Sequence, residues 1–339
     1  MINWFTPHEM LTYNCLYNFI IGDRGAGKSF GTLEFCVRQY LKHGREFIYL
    51  RRYKTELEDS LPTLFDALKQ AGKFPDHELT VKGDRLYCDG KTMGYAVALS
   101  TSMKKKSINY SKVWYIIFEE FMVDGTSSRY LGAGTKEVAI FENFYETVAR
   151  LRDNVRVFFI ANAFSMVNIY FVHYGIRLKP PYKTYNKFGE IMVCIWQDQS
   201  YREAKKATRF YSIVKDTEFA EHAYENKFYM DSDHFIKKRD KDSEFHFAIM
   251  YMGKTYGVWV NWNTGVYYVS NKHGGLTAHN TIAMSLEDNR PNNINIRRVR
   301  NMPFMQAFRK AVDENDVFYD NLETYAMLKE VVYLMRTIT

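Results

Sequence analysis

An apolar run, a glycine-rich turn and the start of a helical pattern follow one another in residues 18–35, NFIIGDRGAGKSFGTLEF. Gly22, Asp23, Arg24, Gly25, Ala26, Gly27, Lys28 and Ser29 fill every fixed position of G-x-x-x-x-G-K-[ST]. The chemistry explains the composition. Glycines let the backbone wrap closely around an anion and take positive φ where required. Successive N–H groups form a nest for phosphate oxygens, and the following helix adds the positive end of its dipole. Lys28 is expected on the β- and γ-phosphates of ATP, and the Ser29 hydroxyl on Mg²⁺. A chance glycine-rich turn is the competing reading. The strand-like Phe19–Ile21 before it and the helical spacing from Gly31 to Leu41 after it argue against that.

A P-loop by itself does not separate kinases, switches and motors. In VWYIIFEEF, residues 113–121, a buried-strand pattern ends in Glu119-Glu120. This is the Walker-B arrangement: Glu119 is expected to assist Mg²⁺ and Glu120 to polarise the attacking water. The first position is more often Asp, so the longer Glu119 leaves the metal geometry open. Next, a helical pattern ends near Arg150-Leu151-Arg152, and a strand over Val155–Ala161 ends in Asn162. Asn162 suits either a γ-phosphate sensor or a plain strand-end turn. The two arginines suit either a trans-acting arginine finger or simple compensation of the helix dipole. The residues alone leave both choices open.

Around these motifs the chain alternates strand-like and helical stretches. Strands are expected at Phe19–Ile21, Phe47–Leu50, Tyr95–Ser100, Val113–Phe118, Val155–Ala161 and Ile191–Trp196, with a helix over Phe141–Leu151. That alternation predicts an α/β fold, a mainly parallel sheet with helices on both faces. HELTVKGDRLYCDGKTMGYAVALS reads instead as hairpins, with Asp89-Gly90 as a tight turn. The division is read as an ATPase domain over 1–196, a charged helical linker over 197–227 and a smaller α+β domain over 228–339. In the last, FHFAIMYMGKTYGVWVNWNTGVYYVS predicts three antiparallel strands, and the tail from Met302 is helical.

The 339 residues suit two domains, and 46% hydrophobic content is ample for packed cores. The apolar runs are too short to span a bilayer. The opening MINWFTPHEM lacks a secretory pattern, and the four dispersed cysteines fit a reducing cytoplasm. A net charge of +7 permits a polyanionic partner. Lys104-Lys105-Lys106, just before the Walker-B strand, is the first candidate for DNA contact, with a solvated loop as the bland alternative.

Taken together, NFIIGDRGAGKS, EFIYLRRYKTEL, FPDHELTVKGDRLYCDGK, YIIFEEF, RLRDNVRVFFIANAFSMVNIYF and FIKKRDKDSEFHFAIMYMGKTYGVWV resemble the genome-packaging ATPases of small phi-29-like tailed bacteriophages. The resemblance runs over nearly the whole chain. It implies a homo-oligomeric ring, of five subunits, seated at the portal vertex of a preformed capsid in the host cytoplasm, driving double-stranded DNA inward with ATP and Mg²⁺. It implies Glu120 as the catalytic acid, Arg150 as the trans-acting finger and Lys54, in RRYK, as an interface residue. It also implies that the second domain is an RNase H-like nuclease fold that has lost its catalytic acids and binds nucleic acid. The need for a packaging RNA stays open. A small-molecule kinase, a nucleotide-gated scaffold and a helicase are the rival classes. DNA-stimulated turnover, ATP binding without turnover, and strand separation respectively discriminate them.

Overall fold

The computed structural model describes residues 2–123, 129–134, 136–162, 168–178, 183–215, 217 and 235–337. The contacts divide the chain into two units. The first comprises residues 1–128, 139–164 and 178–228; the second comprises 129–138, 165–177 and 229–339. The second unit thus takes in two short stretches from within the span read as the ATPase domain. Helices Gln199–Lys206 and Arg209–Val214, read as linker, belong to the first unit; residues 216 and 218–227 of the linker, and 228–234 of the second domain as read, lie outside the described residues.

The first unit is built on a nine-stranded sheet. Its strands are β1 (Tyr17–Gly22), β2 (Glu46–Arg51), β3 (Leu79–Lys82), β4 (Arg85–Cys88), β5 (Lys91–Ala98), β6 (Val113–Glu119), β7 (Arg156–Asn162), β8 (Tyr185–Phe188) and β9 (Ile191–Trp196). Their order is β3-β4-β5-β2-β6-β7-β1-β9-β8. The run from β5 to β9 is parallel, and the hairpins β3–β4–β5 and β8–β9 make the antiparallel edges. The expected strand Tyr95–Ser100 ends at Ala98, because residues 99–105 turn into a 3₁₀ helix.

Strand geometry shows why both faces need cover. Successive side chains point to opposite faces. On β7, Phe158 meets Phe35 of the helix Lys28–His43, while its neighbour Phe159 meets Phe141 of the helix Glu137–Ala149. Strands buried on both faces read as continuous apolar runs, and this is how β6 and β7 read. All four cysteines are free and buried. Among the described residues, no helix is long and apolar enough to cross a membrane.

The second unit carries a six-stranded sheet: β10 (Glu244–Tyr251), β11 (Lys254–Asn261), β12 (Val266–Ser270), β13 (Thr281–Ala283), β14 (Ile294–Asn295) and β15 (Val317–Tyr319). The order is β14-β13-β10-β11-β12-β15. β10, β11 and β12 are antiparallel, and β13 and β14 join parallel to the β10 side. This is the strand order of an RNase H-like sheet, extended at one edge by β15. Helices Pro303–Asp313 and Leu322–Thr337 supply Met305, Phe308, Leu328 and Val331 to its core.

Candidate active site

The sheet brings the motifs to one edge. Gly22, the last residue of β1, stands in register with Asn162 at the end of β7 and Trp196 at the end of β9. A Cβ on Gly22 would lie 2.2 Å from the Trp196 carbonyl oxygen, so only glycine lets β1 and β9 stay paired here. Beyond it the loop turns through Gly25 (φ 84°) and Gly27 (φ 83°), a left-handed conformation that side chains oppose. The helix Lys28–His43 starts at once. In open α/β sheets, ligands sit outside the carboxyl ends of the strands. Here a cleft of about 500 Å³ lies there, lined by Arg24, Gly25, Gly27, Lys28, Ser29, Glu119, Glu120 and Asn162 among others.

Within it, the Lys28 ammonium donates to the carbonyls of Gly22 (3.0 Å) and Asp23 (2.7 Å) and to Asn162 Oδ1 (3.3 Å). Burial pushes its pKa down to about 8, with the Glu119 and Asp23 carboxylates pulling back. The Ser29 hydroxyl donates to Glu119 Oε2 at 3.1 Å, joining P-loop to Walker-B strand. Burial raises the Glu119 carboxyl; the Ser29 hydrogen bond and the Arg51 charge oppose it. β7 is inserted between β1 and β6, the strand order of the ASCE class of P-loop NTPases. The glycine cradle and the hard-oxygen pair Ser29–Glu119 fit a triphosphate and Mg²⁺.

Glu120, the residue after β6, is in a left-handed conformation (φ 55°), and its side chain is 55% exposed. Two arginines hold it. Arg51, the last residue of β2, reaches Glu120 Oε2 at 2.8 Å. Fully buried Arg52 donates to the carbonyls of Glu120 (3.0 Å) and Phe121 (2.6 Å), fixing the strained turn from beneath. Motif reading gave neither arginine a role. Their signal was two arginines closing the apolar strand EFIYL in RRYK.

A third arginine serves the loop itself. Arg202, on the helix Gln199–Lys206, donates from Nε to Asp23 Oδ2 at 3.0 Å, and the Asp23 side chain is only 4% exposed. The neighbouring Tyr201 hydroxyl donates to the Arg24 carbonyl at 3.0 Å. Nothing in the sequence marked these contacts, which span nearly the whole first unit.

The remaining expected residues lie apart from this cluster of contacts. Arg150 follows the helix Glu137–Ala149 at φ 51°, its N–H bonded to the Glu146 carbonyl and its side chain exposed. Leu151 beside it is 99% exposed. Arg152 points home: it donates to the carbonyls of Tyr110, Ser111, Val113 and Val148 at 2.6–3.0 Å. Lys54 opens the helix Lys54–Ser60 and pairs with Glu58 at 3.1 Å. Of the three lysines before β6, Lys104 and Lys106 are exposed, whereas Lys105 is ion-paired with Asp84.

This arrangement agrees with known proteins. The sequence model of the podovirus DNA encapsidation protein (Gp16) family matches residues 2–337. The DNA packaging protein of Bacillus phage phi29 is 36% identical over 318 residues, covering 94% of this chain and 93% of that protein. The solved bacteriophage phi-29 viral genome packaging motor assembly contains a chain 34% identical, with TM-score 0.71 and coverage of 98% of this chain and 99% of that one. The crystal structure of the N-terminal domain of the phi29 DNA packaging ATPase is 35% identical, with TM-score 0.52, covering 58% of this chain and 98% of that one. The chain belongs to the podovirus DNA encapsidation (Gp16) family and is a DNA-packaging ATPase.

Proposed function

We propose that this chain is the ATP-hydrolysing subunit of a homo-oligomeric ring, five subunits by family resemblance, that drives double-stranded DNA through a portal into a preformed capsid. The observation that carries the reading is the Ser29–Glu119 contact of 3.1 Å, which joins the phosphate cradle to the paired acids. The cradle N–H groups and Lys28 hold the triphosphate. Ser29 and Glu119 would hold Mg²⁺, which would supply positive charge against the triphosphate. Glu120 takes the proton of the attacking water. Arg51 sets where the Glu120 carboxylate rests, and Asn162 reports on the γ-phosphate through Lys28.

Arg150 is the finger for a neighbour's site. Two observations support this: an exposed arginine held at a backbone position that favours glycine, and the fully exposed Leu151 beside it. Lys54 lies at the subunit interface and Lys104 and Lys106 contact DNA phosphates. The second unit binds nucleic acid without cutting it.

The test is ATP turnover with and without duplex DNA, alongside oligomer mass. Wild type is expected to hydrolyse faster with duplex. Glu120→Gln, which cannot act as a base, should bind ATP and lose roughly 10²–10⁴-fold in rate. DNA-independent turnover, or a normal rate in Glu120→Gln with a dead Glu119→Gln, would contradict the assignment.

A further inference from the structure

The cradle accounts for the phosphates of the nucleotide and leaves its base unassigned. The direction in which the base lies follows from the sheet. Glu119, Glu120 and Asn162, at the reaction end, stand at the tips of β6 and β7 on one side of β1. A triphosphate in the cradle with its γ-phosphate towards that end would leave its nucleoside on the other side, towards the tip of β9. The apolar lobe of the cleft, with Leu64, Ala67 and Leu68, does not answer this need. It shares its lining with Tyr49, Ile117 and Glu119, at the reaction end.

On the β9 side a separate structure is built. Residues 3–5, well before the first strand, are wedged against the P-loop. The Phe5 N–H reaches the Ala26 carbonyl at 3.4 Å, and the Phe5 ring meets Trp196 edge-on. A Cβ on Gly31 would lie 2.0 Å from the Phe5 carbonyl oxygen, so the helix is cut away to admit this segment. Asp198 pins the arrangement, accepting from the Asn3 N–H (3.3 Å) and the Tyr201 N–H (2.7 Å). The result sets Trp4 over Gly27, the last glycine of the cradle, where an added Cβ would lie 3.2 Å from the indole, and tilted beside the Tyr201 ring at 5.6 Å. Trp4 is nonetheless 49% exposed. An indole placed beside the last glycine of a phosphate nest, with half its surface open, offers a stacking platform for a flat heterocycle.

We propose that Trp4, backed by Tyr201, is the shelf on which the base of the bound nucleotide stacks. The inference rests on the phosphate-cradle reading of residues 22–29. Stacking reads ring area rather than hydrogen-bond pattern, so the shelf favours purine over pyrimidine triphosphates and separates ATP from GTP weakly.

The probes are ATP, CTP and inorganic tripolyphosphate, each titrated calorimetrically with Mg²⁺ into the full chain and into Trp4→Ala and Trp4→Phe. Trp4→Ala should weaken ATP roughly tenfold or more, by the usual strength of base–aromatic stacking. It should weaken CTP less and leave tripolyphosphate unchanged, and Trp4→Phe should recover most of the ATP affinity. Unchanged tripolyphosphate binding also certifies that the variant's cradle is folded. Equal losses for ATP and tripolyphosphate would reduce Trp4 to a prop for the loop and overturn the shelf. Unchanged ATP affinity would overturn it too. A wild-type chain that binds neither ATP nor tripolyphosphate would overturn the cradle reading, and the shelf with it.

Discussion

Two arginines two positions apart carry opposite physics. Arg152 is bound to four backbone carbonyls of its own unit. Its replacement by Ala is expected to lower unfolding free energy by about 2 kcal/mol, because charged donors to carbonyls are the stronger hydrogen bonds. Arg150 holds a left-handed conformation that costs a non-glycine residue about 1 kcal/mol. Arg150→Gly should therefore raise stability by up to about 1 kcal/mol. In the assembled ring it should also cut hydrolysis by roughly 10³–10⁵ if the side chain is the finger. A stability gain joined to an activity loss separates a functional residue from a structural one. Urea unfolding and steady-state turnover on the same preparations measure both. Normal turnover in Arg150→Gly with a dead but stable Arg152→Ala would exchange the roles.

At the scale of elements, the parallel strands were legible because each carries an apolar run between turn signals, as in VWYIIF and VFFIA. Strands β8, β14 and β15, which are short or polar, carried too little pattern to be read. The cradle and paired acids were legible for the same reason: their chemistry is local in sequence. The partners that hold them were not. Arg51 meets Glu120 across 69 residues, and Arg202 meets Asp23 across 179. Local pattern also could not show that residues 129–138 and 165–177 join the second unit. The 3₁₀ turn before β6 sharpens one expectation. Since Lys105 is already paired with Asp84, neutralising Lys104 and Lys106 together should remove about two phosphate contacts. The slope of log K against log salt for duplex binding should then fall by about two, with basal hydrolysis unchanged. A salt dependence equal to wild type would take this turn out of the DNA path.

At the scale of the whole molecule, the second unit has a nuclease-like strand order, and the proposed reading is that it binds nucleic acid without cutting it; Glu244 at the start of β10 is exposed. From Phe245 to Tyr251, β10 carries no carboxylate. Asp288, shortly after β13, is buried and accepts from the N–H groups of Met252 and Gly253 and from Ser285 Oγ, so it braces the β10–β11 turn. Two-metal cleavage needs carboxylates converging on one edge. The full chain with Mg²⁺ or Mn²⁺ should therefore leave supercoiled plasmid intact. Nicking that a substitution in this unit abolishes would contradict the reading. On the function proposed above, the sites of the motor are shared: Lys28 belongs to one subunit and Arg150 acts on the next. The most direct test mixes Lys28→Ala with Arg150→Ala chains and measures ATPase rate across mixing ratios, with co-assembly confirmed by mass. Each pure ring is predicted to be nearly inactive, and hydrolysis to return on mixing with a maximum near equal proportions. Mixed rings of confirmed composition that stay inactive at every ratio would contradict the shared-site motor.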